Sequence, residues 1–483
     1  MLFLFFLLIF KDGVDSMQLD MVKLIEENID DTIDPCDDFY RHACRKDQSR
    51  GSTFFYVIQR SFWKEMNDLM RSGKNEDLFR KIEKLENLIS SLKSDSFDDT
   101  SAVRFEYMEK CINNKTRARE MLLELNKLIY NNENGDCCFT NIDFDTNCER
   151  SATNLVNGLK EHLVNGLEME ARENWKNFLG YLNNFKAYLW LQANNDLVIR
   201  SREMFTMLRD DFMESVEQTP WLINSDSVKA VIEISNQLKL VDTELVIDFN
   251  QNQVDASIQE YNDCHLFTSE TARKYCYATI KVPETDENWN SINAFNFHPY
   301  LSLNNPFIAI LSSNSTPAIE YGSVGYVLGH EFGHTLIKTK SDHMFIPYFS
   351  EQVKTCVQNQ FNKSCSFFKE GLCHTGDYQF DENGADIFGG QLVYEAFKKR
   401  HSCSVNKSIR GYEYCWTPAK LFFYSMAAVD CHREDSVSWM DDPHHAPKIR
   451  VNAVLAQIPD FAEVFQCDAK SNMMQSRSVS FIC

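Results

Sequence analysis

The chain has 483 residues, a net charge of −21, 43% hydrophobic residues and 16 cysteines. That length can bury a large core and hold two or three domains. The acidic balance argues against nucleic acid and anionic membranes as partners, since their phosphates would repel it.

Residues 2–10, LFLFFLLIF, are a run of nine apolar residues followed by Lys11-Asp12-Gly13. About 20 are needed to cross a bilayer, so no stable membrane span is predicted. The run fits the apolar region of a secretory signal, although a basic start and a clean small-residue cleavage site are missing. Residues 1–16 therefore form a signal-peptide-like segment, and the favoured location is extracellular and secreted. The alternative is a shortened anchor at the plasma membrane with the rest of the chain outside. An even cysteine count with no CxxC pair reads as disulfides in an oxidising compartment. Asn-x-Ser/Thr acceptor sites at Asn114, Asn314, Asn362 and Asn406 agree with this.

From 60 to 130 the pattern is helical: Leu78, Ile82, Leu85 and Ile89 keep the three-to-four spacing, as do Met121, Leu125, Leu128 and Ile129. Asn131 to Asn147, with Gly135 and Cys137-Cys138, reads as a loop. Helices resume from about Leu155 to Leu240 with a break at Thr219-Pro220. The polar stretch Pro283 to Asn290 marks a boundary, which divides the chain into an N-terminal, mostly helical region at 33–285 and a C-terminal region at 286–483. Two strand-like runs follow, Ile292 to Phe297 and Pro306 to Leu311. Tyr321-Gly322-Ser323 then offers the start of another helix.

That helix carries His330-Glu331-Phe332-Gly333-His334 in an apolar run. Two histidines four apart share a helix face, so both imidazoles reach one metal ion, and Glu331 stands where a carboxylate deprotonates water. A third ligand is needed for catalytic zinc. The extended form HExxHxxGxxH fails, because its places hold Ile337 and Lys340. Glu382 and Asp386, four apart on one helix face, supply the other route. Glu382 would ligate the metal, and Asp386 would accept the outer N–H of a ligating imidazole. The expected cofactor is one Zn²⁺ per chain, held by His330, His334 and Glu382.

With these residues the sequence resembles the neprilysin and endothelin-converting enzyme family of zinc peptidases. The resembling segments run in the family's order: Asp34-Pro35-Cys36-Asp37-Asp38-Phe39-Tyr40 with Ala43-Cys44, Trp221-Leu222, Asn293-Ala294-Phe295, Tyr321-Gly322, Glu382 to Asp386, Phe422 to Cys431, Asp442-Pro443-His444 with Arg450, and Phe461 to Cys467. The resemblance implies a mainly α fold with a small β-sheet (α+β), a thermolysin-like zinc peptidase lobe plus a reduced helical lobe. It implies the disulfides Cys36–Cys467, Cys44–Cys431, Cys111–Cys148 and Cys356–Cys483. It also implies a histidine that stabilises the oxyanion: His444 with Asp442 orienting it, or His445, which fits the family's His-x-Pro through Pro447. Arg450 would donate a bidentate hydrogen bond to a substrate carbonyl, and Asn293 and Ala294 would hold the substrate as an added strand.

Three departures from the family pattern stand out. Ile337 replaces an aspartate three residues after the second zinc histidine, and Asn296 replaces a tyrosine. Only 36 residues separate Cys111 from Cys148, two landmarks that normally bracket most of a large helical lobe. The resemblance implies a zinc endopeptidase that cuts oligopeptides on the amino side of bulky apolar residues. A catalytically weak relative that binds peptides or regulates an active partner is the alternative. The expected partners are peptides, not nucleic acid; the sequence leaves oligomeric state open.

Overall fold

A computed structural model describes residues 20–44, 54–71, 224–241, 315–337, 350–368, 380–401, 416–431 and 444–478, most of 183–218 and 293–312, and a few isolated positions. The chain divides into two compact units. One is built from Met1–Met66, Trp190–Val246 and Trp289–Cys483, the other from Asn67–Leu189 and Ile247–Asn288. The unit that carries the zinc motif is thus assembled from three separate segments of the chain. Its described part is mainly helical around a small sheet.

The opening segment supplies α1 (Met21–Glu26) and α2 (Phe39–Ala43), each started by an aspartate whose side chain accepts a main-chain N–H of the first turn. Next, α3 (Phe54–Arg71) buries Phe54, Ile58, Phe62, Met66 and Met70, a stripe of strict four-residue spacing. The helical pattern thus begins earlier than residue 60. Two longer helices follow, α4 (Asn195–Gln218) and α5 (Ser225–Gln237), separated where Thr219-Pro220 predicts a break.

The sheet has three strands: β1 (Lys239–Val241), β2 (Ala294–Phe297) and β3 (Tyr300–Leu303), in the order β1-β3-β2. β1 runs parallel to β3 and β2 runs antiparallel to it, with Ala294 opposite Leu303. Here the structure corrects the sequence reading twice. Lys239 and Leu240 close no helix but form β1. Pro306 to Leu311 is not a strand: α6 (Asn305–Ile310) occupies it, with Pro306 in its first turn. An apolar run this short has no period to tell helix from strand, and proline in the first turn favours the helix.

The zinc-motif helix starts at Thr316, five residues before the expected place. Thr316 caps Ile319 and Pro317 opens α7 (Pro317–Glu320). A π-helical turn, Tyr321–Gly325, leads directly into α8 (Tyr326–Leu336). Such turns recur at functional sites because they rotate the helix that follows. The remaining helices are α9 (Glu351–Phe367), α10 (Phe380–His401), α11 (Pro418–Val429), α12 (Pro447–Ala456), α13 (Pro459–Phe465) and α14 (Asn472–Gln475). Among the described residues no helix is long and apolar enough to cross a membrane.

The two ends of the described chain are joined. Disulfides link Cys36 to Cys467 and Cys44 to Cys431, as the resemblance implies. Between them Phe39 is fully buried against Tyr424, Phe461 and Phe465, with ring centroids 5.0–5.1 Å apart. Asn452 accepts from the Tyr40 main chain and donates to Asp38. Cys356 and Cys365 are disulfide-bonded as well. Cys111, Cys148 and Cys483 lie outside the described residues, as do Asn114, Asn314 and Asn406. Asn362 stands exposed on α9.

Candidate metal centre

Close approach of α8 to α10 builds the site. A Cβ on Gly329 would lie 2.8 Å from the Gly389 carbonyl oxygen, and one on Gly333 would lie 2.6 Å from Ala385 Cα. Both are closer than real side chains come, so only glycine lets the two backbones meet here. Behind α8, Phe332 is fully buried and stacks between Phe205 and Phe212 of α4, at 5.5 and 5.4 Å. The salt bridge from Arg200 on α4 to the buried Glu320 fixes the start of the same helix.

The approach brings three ligand atoms together. His330 Nε2 and His334 Nε2 are 3.0 Å apart, and Glu382 Oε2 lies 3.2 Å from the first and 3.3 Å from the second. Donors around one tetrahedral zinc at its usual bond lengths stand about 3.3 Å from one another. Glu382 Oε2 is buried with these nitrogens around it and yet makes no hydrogen bond of good geometry. A buried carboxylate oxygen that faces two imidazole nitrogens without a hydrogen bond to either fits a metal ion. His444 Nε2 is 2.9 Å from the same oxygen, and His330, Glu382 and His444 form a wider group within 4.8 Å. His330 and Glu382 are thus within reach of a common ion together with either of two further imidazoles, His334 or His444.

Asp386 is fully buried and accepts from His330 Nδ1 at 2.7 Å. That bond holds one proton on Nδ1, so the neutral ring would turn the Nε2 lone pair toward His334 and Glu382, the tautomer a metal requires. Arg450 donates to both Asp386 oxygens, at 2.7 and 2.6 Å, and its third nitrogen is 3.3 Å from Asp430. The bidentate partner of Arg450 within the protein is thus Asp386. Tyr326 adds a 3.3 Å hydrogen bond to Asp386.

The electrostatics follow from burial and pairing. Burial works to protonate Asp386, but Arg450 and His330 outweigh it and hold the carboxyl well below its usual range. Burial also disfavours a charged His330 ring, yet Asp386 and Glu382 push it up to about 10. Zinc displaces such a proton when it binds. Burial raises the Glu331 carboxyl, partly offset by His330 and His334. Glu382 moves the other way: its burial is overcome by the surrounding imidazoles, which hold it far below the ordinary range.

The other expected residues fall into place unevenly. His444 reaches the site, whereas His445 is buried with its ring centroid 5.1 Å from that of Phe361. Asp442 lies outside the described residues. Asn293 is exposed and Ala294 opens β2, whose outer edge carries no other strand among the described residues. Ile337 is not on a further turn of α8 but is its C-cap, buried against the position of Gly384. The sequence reading missed Tyr326 and Asp430. For Asp430 a signal existed: one acid closing the wholly apolar end of α11, next to a cysteine.

Residues 289–481 match the family model described as peptidase family M13. This part of the chain is similar to that family. Similar proteins include Neprilysin-3 of Drosophila melanogaster, 24% identical over 308 residues that span 56% of this chain and 38% of that protein. The Kell blood group glycoprotein of Homo sapiens is 22% identical over 300 residues, 55% of this chain and 38% of its own length. Endothelin-converting enzyme 1 of Mus musculus is 26% identical over 187 residues, 35% and 23% of the two chains. The matches therefore span about two fifths or less of these relatives. A solved structure, the Haemonchus galactose containing glycoprotein complex, covers 96% of this chain and 100% of its own with a TM-score of 0.52. At 14% identity that likeness is one of fold.

Proposed function

We propose that the chain is a zinc-dependent endopeptidase acting on oligopeptides, with His330, His334 and Glu382 as ligands and Glu331 as general base. The convergence of three donor atoms within 3.3 Å, with a buried Glu331 in the same helix turn, carries this reading. Zinc supplies a Lewis acid that polarises a scissile carbonyl and acidifies water. The protein's residues do the rest. Glu331, raised by burial, takes a proton from water and returns it to the leaving amine. His444, at the rim of the ligand cluster, donates to the oxygen on which charge develops. Asp386 fixes the His330 tautomer, and Arg450 keeps Asp386 ionised and in place. The outer edge of β2, beginning at Asn293 and Ala294, receives the substrate as an added strand. Selectivity for the amino side of bulky apolar residues comes from the family resemblance.

An oxidising location, outside the cytosol, is the setting supported by Cys36–Cys467 and Cys44–Cys431. A second reading, peptide binding without turnover, draws on Ile337, which puts an apolar side chain where the family has an aspartate. Metal content of purified protein, then cleavage of a quenched apolar peptide with and without a chelator, separates the two. Zinc at one per chain with chelator-sensitive cleavage supports the peptidase. Zinc without cleavage favours the binder, and protein that takes up no zinc overturns the peptidase.

A further inference from the structure

Asn296 stands in β2 where the family resemblance has a tyrosine. Alternation along the strand sends Phe295 and Phe297 outward, 40% and 41% exposed, and turns Ala294 and Asn296 to the other face. On that face Asn296 Nδ2 donates to the main-chain oxygen of Glu331 at 2.5 Å and to Thr335 Oγ1 at 2.9 Å. Thr335 is itself buried, and the two acceptors lie one helical turn apart on either side of the zinc motif's central turn. One amide thus joins the strand proposed to receive substrate to the main chain of the proposed base.

We infer that Asn296 is a positioning residue, setting the distance between the outer edge of β2 and the Glu331 turn of α8. The inference rests on the peptidase reading. A peptide added to β2 is placed by main-chain hydrogen bonds, so its scissile carbonyl sits only as accurately as β2 sits against α8. Displacement by about 1 Å costs roughly 100-fold in rate. Main-chain pairing to β3 fixes the other edge of β2, and the Asn296 amide ties the face of the strand to the helix by two directional bonds. Shape alone would not do: an aspartate of the same size would set an acceptor against the Glu331 carbonyl.

The test compares Asn296→Ala, Asn296→Asp and Thr335→Val with the parent protein, all zinc-loaded, on a quenched apolar peptide. Asn296→Ala should lower kcat by about 10–100-fold, with a smaller change in KM and unchanged zinc content. Asn296→Asp should lose at least as much, because it keeps the shape and deletes the donors. Thr335→Val, which removes one of two acceptors, should lose less. A second readout needs no turnover: hydrogen–deuterium exchange at 294–297 and 331–335 should quicken in Asn296→Ala, with or without zinc, while 300–303 stay protected. A kcat within twofold of the parent, or unchanged exchange at 294–297, overturns the inference and leaves the peptidase reading intact. A parent protein that binds zinc but cleaves nothing overturns the peptidase reading and this inference with it.

Discussion

Asp386 holds His330 from behind, accepting its Nδ1–H at 2.7 Å while Arg450 grips the same carboxylate through two N–H groups. The proposed ligand is thereby oriented by an acid that is itself oriented by a base, and all three are buried or nearly so. Asp386→Asn should keep the fold and lower zinc affinity by about 10–100-fold, since an amide oxygen is a weaker acceptor and its NH₂ can oppose the ring. Competition with a graded chelator series measures it. Zinc retention equal to the parent's would show that another group orients His330.

Glu331→Gln should retain zinc and lose about 10²–10⁴-fold in kcat, because it deletes the base and spares the donors. Glu382→Ala should behave differently and lower zinc occupancy itself. Elemental analysis beside peptide turnover tells the two outcomes apart. A Glu331→Gln protein with more than half the parent rate would remove Glu331 from the mechanism.

Gly333→Ala should destabilise the protein by about 1–3 kcal/mol and weaken zinc binding together with it. Its added Cβ would lie 2.6 Å from Ala385 Cα, so α8 and α10 must part, carrying Glu382 away from the histidines. Thermal unfolding with and without zinc reads both effects. A variant with unaltered unfolding and zinc retention would mean the helices are not held as close as described.

Ile337→Asp is expected to destabilise by at least about 3 kcal/mol without tightening zinc. From spacing alone the opposite follows, because an acid three residues after His334 would lie on the next turn and accept its outer N–H. The structure ends α8 at Leu336 and buries Ile337 over Gly384, where a carboxylate meets an apolar wall. Urea unfolding and chelator competition on the same sample decide it, and firmer zinc retention would return to the spacing argument.

What the sequence makes legible is whatever rests on short-range spacing. His330 and His334 share a face because four residues make a helical turn, and Glu382 and Asp386 do so for the same reason. The partnership between those two pairs depends on how closely two helices pack. Its signal, glycine at 329, 333 and 389, has meaning only once the helices are known to face each other. Phe307 to Ile310 misled for want of a period, and Lys239 to Val241 became a strand through β3, which lies sixty residues further on. Arg450 and Asp430 belong to the same class: a lone basic and a lone acidic residue whose roles depend on a tertiary meeting.

Fastening residues 20–44 to residues 424–467 has a consequence for how the protein is made. Residues 20–44 leave the ribosome about four hundred residues ahead of their partners, since Phe39, His42 and both cysteines meet residues between 424 and 467. The unit that carries the histidine pair therefore cannot close around this segment until residue 467 has been made. Until then Phe39 and two thiols lack their native partners. Contacts of such long range also close slowly. Any early, local pairing of Cys36 or Cys44 would have to be undone before the two long-range disulfides can form.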